Sequence, residues 1–287
     1  MVHPFTTGWI ARAIFLLVLL FNSLETRART VEIGTGFWPP YLDQSAEGGG
    51  YLARLIRDAF ATQGIQVRFT YVPWSRALAM TRSGQFDASA VWSCTPTRET
   101  DFLFSRPLYP FRYVLFHRKS DGFSWSSIND WAGLRMGLTQ DYAYGPKVAT
   151  AIAQRLVKPD VTTSDRANFQ KLLLGRIDLF PMDPLTGFAM LSETFDPGAL
   201  ERITFDPHPV RIAWYHLMFA RGSDQAKALR DAFDTGLALL IENGRYQQLV
   251  DAMETAWLSN PAFHALRPQL TELIQGGPLL PPNKPCP

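Results

Sequence analysis

Two hydrophobic rhythms alternate along this chain. Leu52, Leu55, Ile56, Ala59 and Phe60 recur at helical spacing and predict a helix over 51–62, which Gly64 ends. On either side, 31–34 and 67–72 carry the two-residue alternation of strands. Residues 75–82 predict a second helix, with Ser75 as its N-cap and Gly84 just past its end. The short apolar run 86–92 reads as a buried strand. This β-α-β-α-β order predicts a parallel sheet with helices on both faces.

The pattern then repeats. Strands are predicted over 113–117, 135–138, 178–182 and 212–220. Helices are predicted over 144–156, 169–174, 227–242 and 246–256, and Gly244 separates the last two. Two α/β units joined by extended strands make two lobes with a cleft between them. Such a cleft is a favoured place for a small ligand.

The first 28 residues have a different character. Arg12 precedes an unbroken apolar run, 13–21, and small Ala28 follows a polar stretch. A basic start, a short apolar core and a small residue describe a cleaved secretory signal, and the run is short of the ~20 residues of a membrane span. No cysteine follows the run as a lipid-anchor site. Export to the periplasm is therefore expected, with the mature chain starting near Arg29.

Charge and cysteine use narrow the function further. Lysine and arginine number 28 against 26 acidic residues, a balance that offers nothing to nucleic acid. There is no CxxC, HExxH or histidine cluster, so neither a metal site nor a cofactor is expected. Gly34-x-Gly36 after a strand is part of a dinucleotide loop pattern, but Pro39 stands where its third glycine belongs. Export permits a disulfide. However, Cys94 reads as a small core residue, and Cys286 lies in a proline-rich tail expected to be extended and mobile.

The motifs between these elements are more specific. Ser93-Cys94-Thr95-Pro96-Thr97-Arg98 leads through Asp101-Phe102 to Phe104-Ser105-Arg106-Pro107-Leu108-Tyr109. Gly84-Gln85-Phe86-Asp87-Ala88 precedes it, Gly34-Thr35-Gly36-Phe37-Trp38-Pro39-Pro40-Tyr41 opens the chain, and Gly175-Arg176-Ile177-Asp178 with Met182-Asp183 follows. In this order the pieces resemble the family 3 extracellular solute-binding proteins of the polar amino-acid transport type, over nearly all of residues 31–256. Pro73-Trp74-Ser75-Arg76-Ala77-Leu78 and Tyr142-Ala143-Tyr144-Gly145 resemble one branch of that family with less well-defined ligands.

The resemblance implies the two-lobed periplasmic binding protein type II fold, with the second lobe inserted into the first. The first lobe then spans 29–116 and 216–260, the second 117–215, and 261–287 form a partly extended tail. Hinge strands are expected near Phe116-His117 and Tyr215-His216.

Arg98 carries the main expectation for the site. Its planar fork of donors fits a carboxylate, and the family's matching arginine holds the ligand carboxylate. Ser93 and Thr95 are placed to complete an anion cradle. Trp38 matches the family's stacking aromatic, and Trp74 and Trp92 are further candidates. Arg76, near a helix start, offers a second basic group, and Asp183 matches the family's partner for a ligand ammonium. Tyr142 and Asp141 stand where the family has a small hydroxyl residue and a glycine, a departure in the second lobe's grip. Gly36 and Phe37 occupy a position where the family often has an acidic residue, which weakens the case for a basic amino acid as ligand.

These features predict a monomeric substrate-binding component of an ABC transporter. It would bind a small carboxylate-bearing solute, an amino acid or derivative, by cleft closure and dock on a membrane permease. Two alternatives stay open: an enzyme on the same fold, of the cyclohexadienyl dehydratase type, and a ligand-sensing module.

Overall fold

The computed structural model describes residues 29–268, 270–271, 281–282 and 286. The expected signal segment, 1–28, lies outside the described residues. Strand β1 (Arg29–Thr35) is followed by helix α1 (Tyr51–Ala61), strand β2 (Ile65–Tyr71), helix α2 (Trp74–Arg82) and strand β3 (Ala88–Ser93). β1 pairs in parallel with both β2 and β3, as the β-α-β-α-β pattern predicts. α1 buries Leu52, Leu55, Ile56, Ala59 and Phe60, the residues whose spacing marks it in the sequence. Ser75 is not a cap. α2 begins one residue earlier, after extended Pro73, which makes no side-chain cap bond.

Next come the short helix α3 (Pro96–Glu99) and strands β4 (Phe102–Phe104), β5 (Tyr109–Arg118) and β6 (Arg135–Thr139). Helix α4 (Pro146–Ala153), strand β7 (Lys158–Thr162), helix α5 (Asp165–Leu173), strand β8 (Phe180–Met182) and helices α6 (Pro184–Thr194) and α7 (Gly198–Arg202) follow. Strand β9 (Ile203–Ala220) and helices α8 (Ala226–Glu242) and α9 (Arg245–Ser259) complete the order.

The large sheet runs β2-β1-β3-β9-β5-β8, with β4 also on β9, while β6 and β7 form a separate parallel pair. The sheet is mixed rather than all parallel, because β9 runs antiparallel to β3, β4 and β5. The result is two α/β lobes, the type II binding-protein architecture, linked by the long antiparallel pair β5 and β9. Their register is regular from Tyr109↔Tyr215 to Tyr113↔Arg211, then jumps to Leu115↔Asp206. Pro207 and Pro209 lie in the skipped stretch, and proline has no N–H to give a ladder.

Residues 261–266, at the start of the tail expected to be partly extended, form a 3₁₀ helix, and Phe263 is buried, stacked on Trp257 at 4.2 Å. Cys94 and Cys286 are joined in a disulfide with Cα atoms 5.9 Å apart. Cys94 is thus not a free core thiol, and Cys286 is fastened beside the strand end that carries Ser93. The sequence leaves this open, because 192 residues separate the two cysteines. Among the described residues no helix is long and apolar enough to cross a membrane.

Candidate functional site

The C-terminal end of β3 enters a narrow cavity of about 30 Å³. Trp38, Trp74, Trp92 and Tyr142 form much of its wall, and Phe111, Tyr113 and Tyr215 supply the rest of its aromatic lining. Ser93 and Arg98 provide its polar face, and Val91 and Ala143 close the gaps.

The strand is bent to reach this place. β3 and β9 lose register between Ser89 and Trp92, and Val91 sits there at φ 57°. A β-branched residue in the left-handed region is strained by roughly 1–3 kcal/mol, and such strain concentrates at binding and catalytic sites. The bulge directs Trp92 and Ser93 to the cavity.

Three of the aromatic rings are almost mutually perpendicular. Trp38 meets Trp74 at 89° with centroids 5.9 Å apart, and Tyr142 meets Trp38 at 73° and Trp74 at 84°. Trp74 also meets Trp92 edge-on at 5.3 Å. Trp74 packs against bare backbone at Gly36, where an added Cβ would fall 2.3 Å from its ring. The glycine pattern after β1 therefore makes room for an indole, not for a phosphate. Across the cavity, Phe111 stacks on Tyr215 at 4.4 Å and 12°.

Arg98 is half-buried, and its guanidinium stands 4.6 Å from the Trp92 ring centre. It donates to Ser93 O at 2.8 Å, to Ser93 Oγ at 3.2 Å and to Asp141 O at 2.6 Å. Among the described residues it forms no ion pair. Asp101 pairs with Arg82 instead. Burial, with a smaller contribution from neighbouring Arg211, lowers the Arg98 pKa to about 10.

Arg211 is a residue that the sequence does not single out. It projects from β9 and donates to Ser93 Oγ at 3.2 Å and to Ala143 O. Gly145, at φ +88°, passes so close that a Cβ there would lie 3.0 Å from Arg211 Cδ. Burial lowers the Arg211 pKa as well, and it too has no carboxylate partner among the described residues. Two partly desolvated cations thus share one hydroxyl, with only neutral carbonyls as further acceptors.

Asp141, in the loop that Arg98 contacts, favours the Arg98 cation without forming an ion pair with it, and two buried carboxylates stand behind the wall. Asp183 is 1% exposed and caps α6, accepting from Leu185 N at 2.9 Å and Thr186 N at 3.0 Å. Its Oδ2 receives the hydroxyls of Tyr215 at 3.4 Å and Tyr41 at 3.5 Å, and Tyr215 in turn accepts from Trp38 Nε1 at 2.8 Å. Burial lifts the Asp183 carboxyl to about 7 against these hydrogen bonds. Asp165 accepts from Thr139 Oγ1 and Tyr142 OH, both at 2.6 Å, and burial lifts it to about 6. Each aspartate orients a wall tyrosine.

Six of the predicted site residues, Arg98, Ser93, Trp38, Trp74, Trp92 and Tyr142, therefore converge on the cavity. Thr95 does not line it. Its side chain caps α3, accepting from Arg98 N at 3.3 Å, and so sets the arginine's backbone. Arg76 is exposed on α2, away from the cavity, and Asp183 lies one layer behind it. Of the expected hinge positions, Tyr215 lines the cavity, while Phe116 and His117 are buried in the β5–β9 pairing beyond it. A wider groove of about 530 Å³ adjoins at Trp74 and opens past Phe37, Tyr71 and Asp165.

This geometry is that of a binding protein, and comparison with known proteins agrees. The profile of the bacterial extracellular solute-binding proteins, family 3, matches residues 31–254. The chain belongs to that family. Its fold is shared by several solved structures. A histidine kinase sensor domain with similarity to periplasmic binding proteins superposes with a TM-score of 0.68 at 22% identity, over 81% of this chain and 97% of that one. An ancestral arginine-binding protein bound to arginine gives 0.66 at 20% identity, over 78% and 97%. An amino acid ABC transporter substrate-binding protein from Streptococcus pneumoniae, bound to L-arginine, gives 0.63 at 20% identity, over 80% and 97%. No curated protein matches the chain by sequence.

Proposed function

We propose that this protein is the substrate-binding component of an ABC-type transporter. It works in the periplasm as a monomer after loss of residues 1–28, and delivers its ligand to a membrane permease. The ligand is a small carboxylate-bearing solute of amino-acid size, an amino acid or a derivative of one. One observation carries the reading: Arg98, which lines the aromatic cavity, and Arg211, which lies outside its lining, converge on the cavity's Ser93 Oγ, and neither forms an ion pair among the described residues.

Closure fits the same geometry. Arg98, on the β3 side, reaches Asp141 O in the loop after β6, and Arg211 reaches Ala143 O in that loop. The register break between Tyr113–Leu115 and Asp206–Arg211 is the natural hinge, because there the two linking strands are least bound to each other. Ligand favours the closed state through contacts to both sides. A turnover reading is less well supported, since neither buried aspartate faces the cavity to move a proton on a bound molecule.

A thermal-shift screen of carboxylates, amino acids and amines, followed by small-angle scattering on the best hit, tests this. The expected result is stabilisation by carboxylates alone or by amino acids, and a smaller radius of gyration on binding. Stabilisation by amines without a carboxyl group would overturn the reading.

A further inference from the structure

We infer that the ligand carries a carboxylate on an apolar or aromatic body and has no free ammonium group: a deaminated or N-acylated relative of an amino acid rather than the amino acid itself. The inference rests on the anion-site reading above and adds the other half of the ligand.

An α-amino acid brings two charges only a few bonds apart. When it is desolvated in a cleft, its ammonium needs acceptors as much as its carboxylate needs donors. Arg98 supplies donors from the cavity wall, and Arg211, outside the lining, adds its charge through Ser93 Oγ. It supplies no carboxylate at all among its lining residues. Asp183 has both oxygens engaged, Oδ1 by the first turn of α6 and Oδ2 by two tyrosine hydroxyls, and the Tyr215 ring stands between it and the cavity. Asp165 does not line the cavity but faces the adjoining groove, with one oxygen given to Thr139 and the other to Tyr142.

Two of the three tyrosine hydroxyls on the wall are committed as well, while Tyr113 OH has no hydrogen-bond partner among the described residues. Tyr215 OH accepts from Trp38 and points to Asp183, and Tyr142 OH points to Asp165. What remains for the ligand body, besides Tyr113 OH, is the faces and edges of Trp38, Trp74, Phe111 and Tyr113. Such surfaces reward a flat apolar group. An ammonium placed near two guanidinium groups would also meet like charge.

Matched pairs differing only in the amino group test this by titration calorimetry: L-phenylalanine with 3-phenylpropanoate, L-tryptophan with indole-3-propanoate, L-leucine with 4-methylpentanoate, and N-acetyl-L-phenylalanine as a capped form. The expected result is that at least one amine-free acid binds, about tenfold or more tighter than its amino partner. The same pairs are then measured on Asp183→Asn. A wall role predicts that both members of a pair change by a similar factor. A direct ammonium contact predicts a selective loss of the amino member, and that result, or tighter binding of the free amino acids by the native protein, would overturn the inference while leaving the anion site intact. Failure of every carboxylate in the set, with binding only of amines, would overturn the anion-site reading and this inference with it.

Discussion

Arg98 and Arg211 hold one oxygen between them: each places Nη1 3.2 Å from Ser93 Oγ. They come from distant parts of the chain, one from the short helix α3 after β3 and the other from the strand β9 that returns through both lobes. Neither meets a carboxylate among the described residues. Arg211→Gln keeps a donor but loses the charge, and is expected to weaken carboxylate binding by about ten- to several-hundred-fold. Isothermal titration of the variant checks this, and because the two cations act on one anion, the double variant with Arg98→Gln should lose less than the product of the single losses.

Asp183 makes a pH prediction. Burial lifts its carboxyl from the ordinary 3.8 to about 7. Between roughly pH 4 and pH 7 the folded protein keeps a proton that the unfolded chain has released. The stability from this group is full below pH 4 and is lost as pH rises through 7. Asparagine is neutral throughout and caps a helix about as well as aspartate. The melting temperature of Asp183→Asn, relative to the native protein, should therefore rise from pH 4 to pH 8 and then level off. Differential scanning calorimetry across that range checks it, and a gap that does not change with pH would show that the carboxyl is not held protonated.

The Cys94–Cys286 bridge makes a third. It closes a loop of nearly two hundred residues, and cross-links of this kind contribute about 2–5 kcal/mol, largely by restricting the unfolded chain. Cys286→Ser should lower the melting temperature, and the oxidised native protein should show no thiol that reacts with iodoacetamide after denaturation. Because Cys94 adjoins Ser93, the variant should also bind ligand more weakly than its lost stability alone accounts for. Titration well below the melting temperature separates the two effects.

Local signals carried the first lobe well. Alternation and helical spacing predicted β1, α1, β2 and α2 within a few residues, because each buries one face and the pattern repeats at the element's own period. β7 was missed for a physical reason: Lys158-Pro159-Asp160-Val161-Thr162 pairs only with β6 at an edge, so nothing requires it to be apolar. β9 was expected to start at 212 but starts at 203, since Pro207 and Pro209 conceal a strand that tolerates them in its unpaired stretch. Arg98 was legible because a short motif follows a buried strand. Arg211, Phe111 and Tyr113 were not, because they sit on long strands where sequence alone does not say which alternate face meets the cleft. The disulfide, and the placing of Asp183 behind Tyr215, depend on contacts between distant segments and leave no local trace.

The claim at the centre of this account is that Arg98 anchors an anionic group of the ligand. The most direct measurement is calorimetric titration of the tightest-binding carboxylate against the native protein, Arg98→Ala and Arg98→Lys, with melting curves of each ligand-free protein. A desolvated charge pair that loses one partner costs about 2–5 kcal/mol, which is roughly thirty- to several-thousand-fold in affinity. Arg98→Ala should lose that much, and Arg98→Lys should recover only part of it, since an ammonium keeps the charge but lacks the fork. Ligand-free stability should change little, because the lost bonds to Ser93 O and Asp141 O are offset by relief of repulsion from Arg211. Near-native affinity in Arg98→Ala, with a large fall in its melting temperature, would contradict the account and make Arg98 a structural residue.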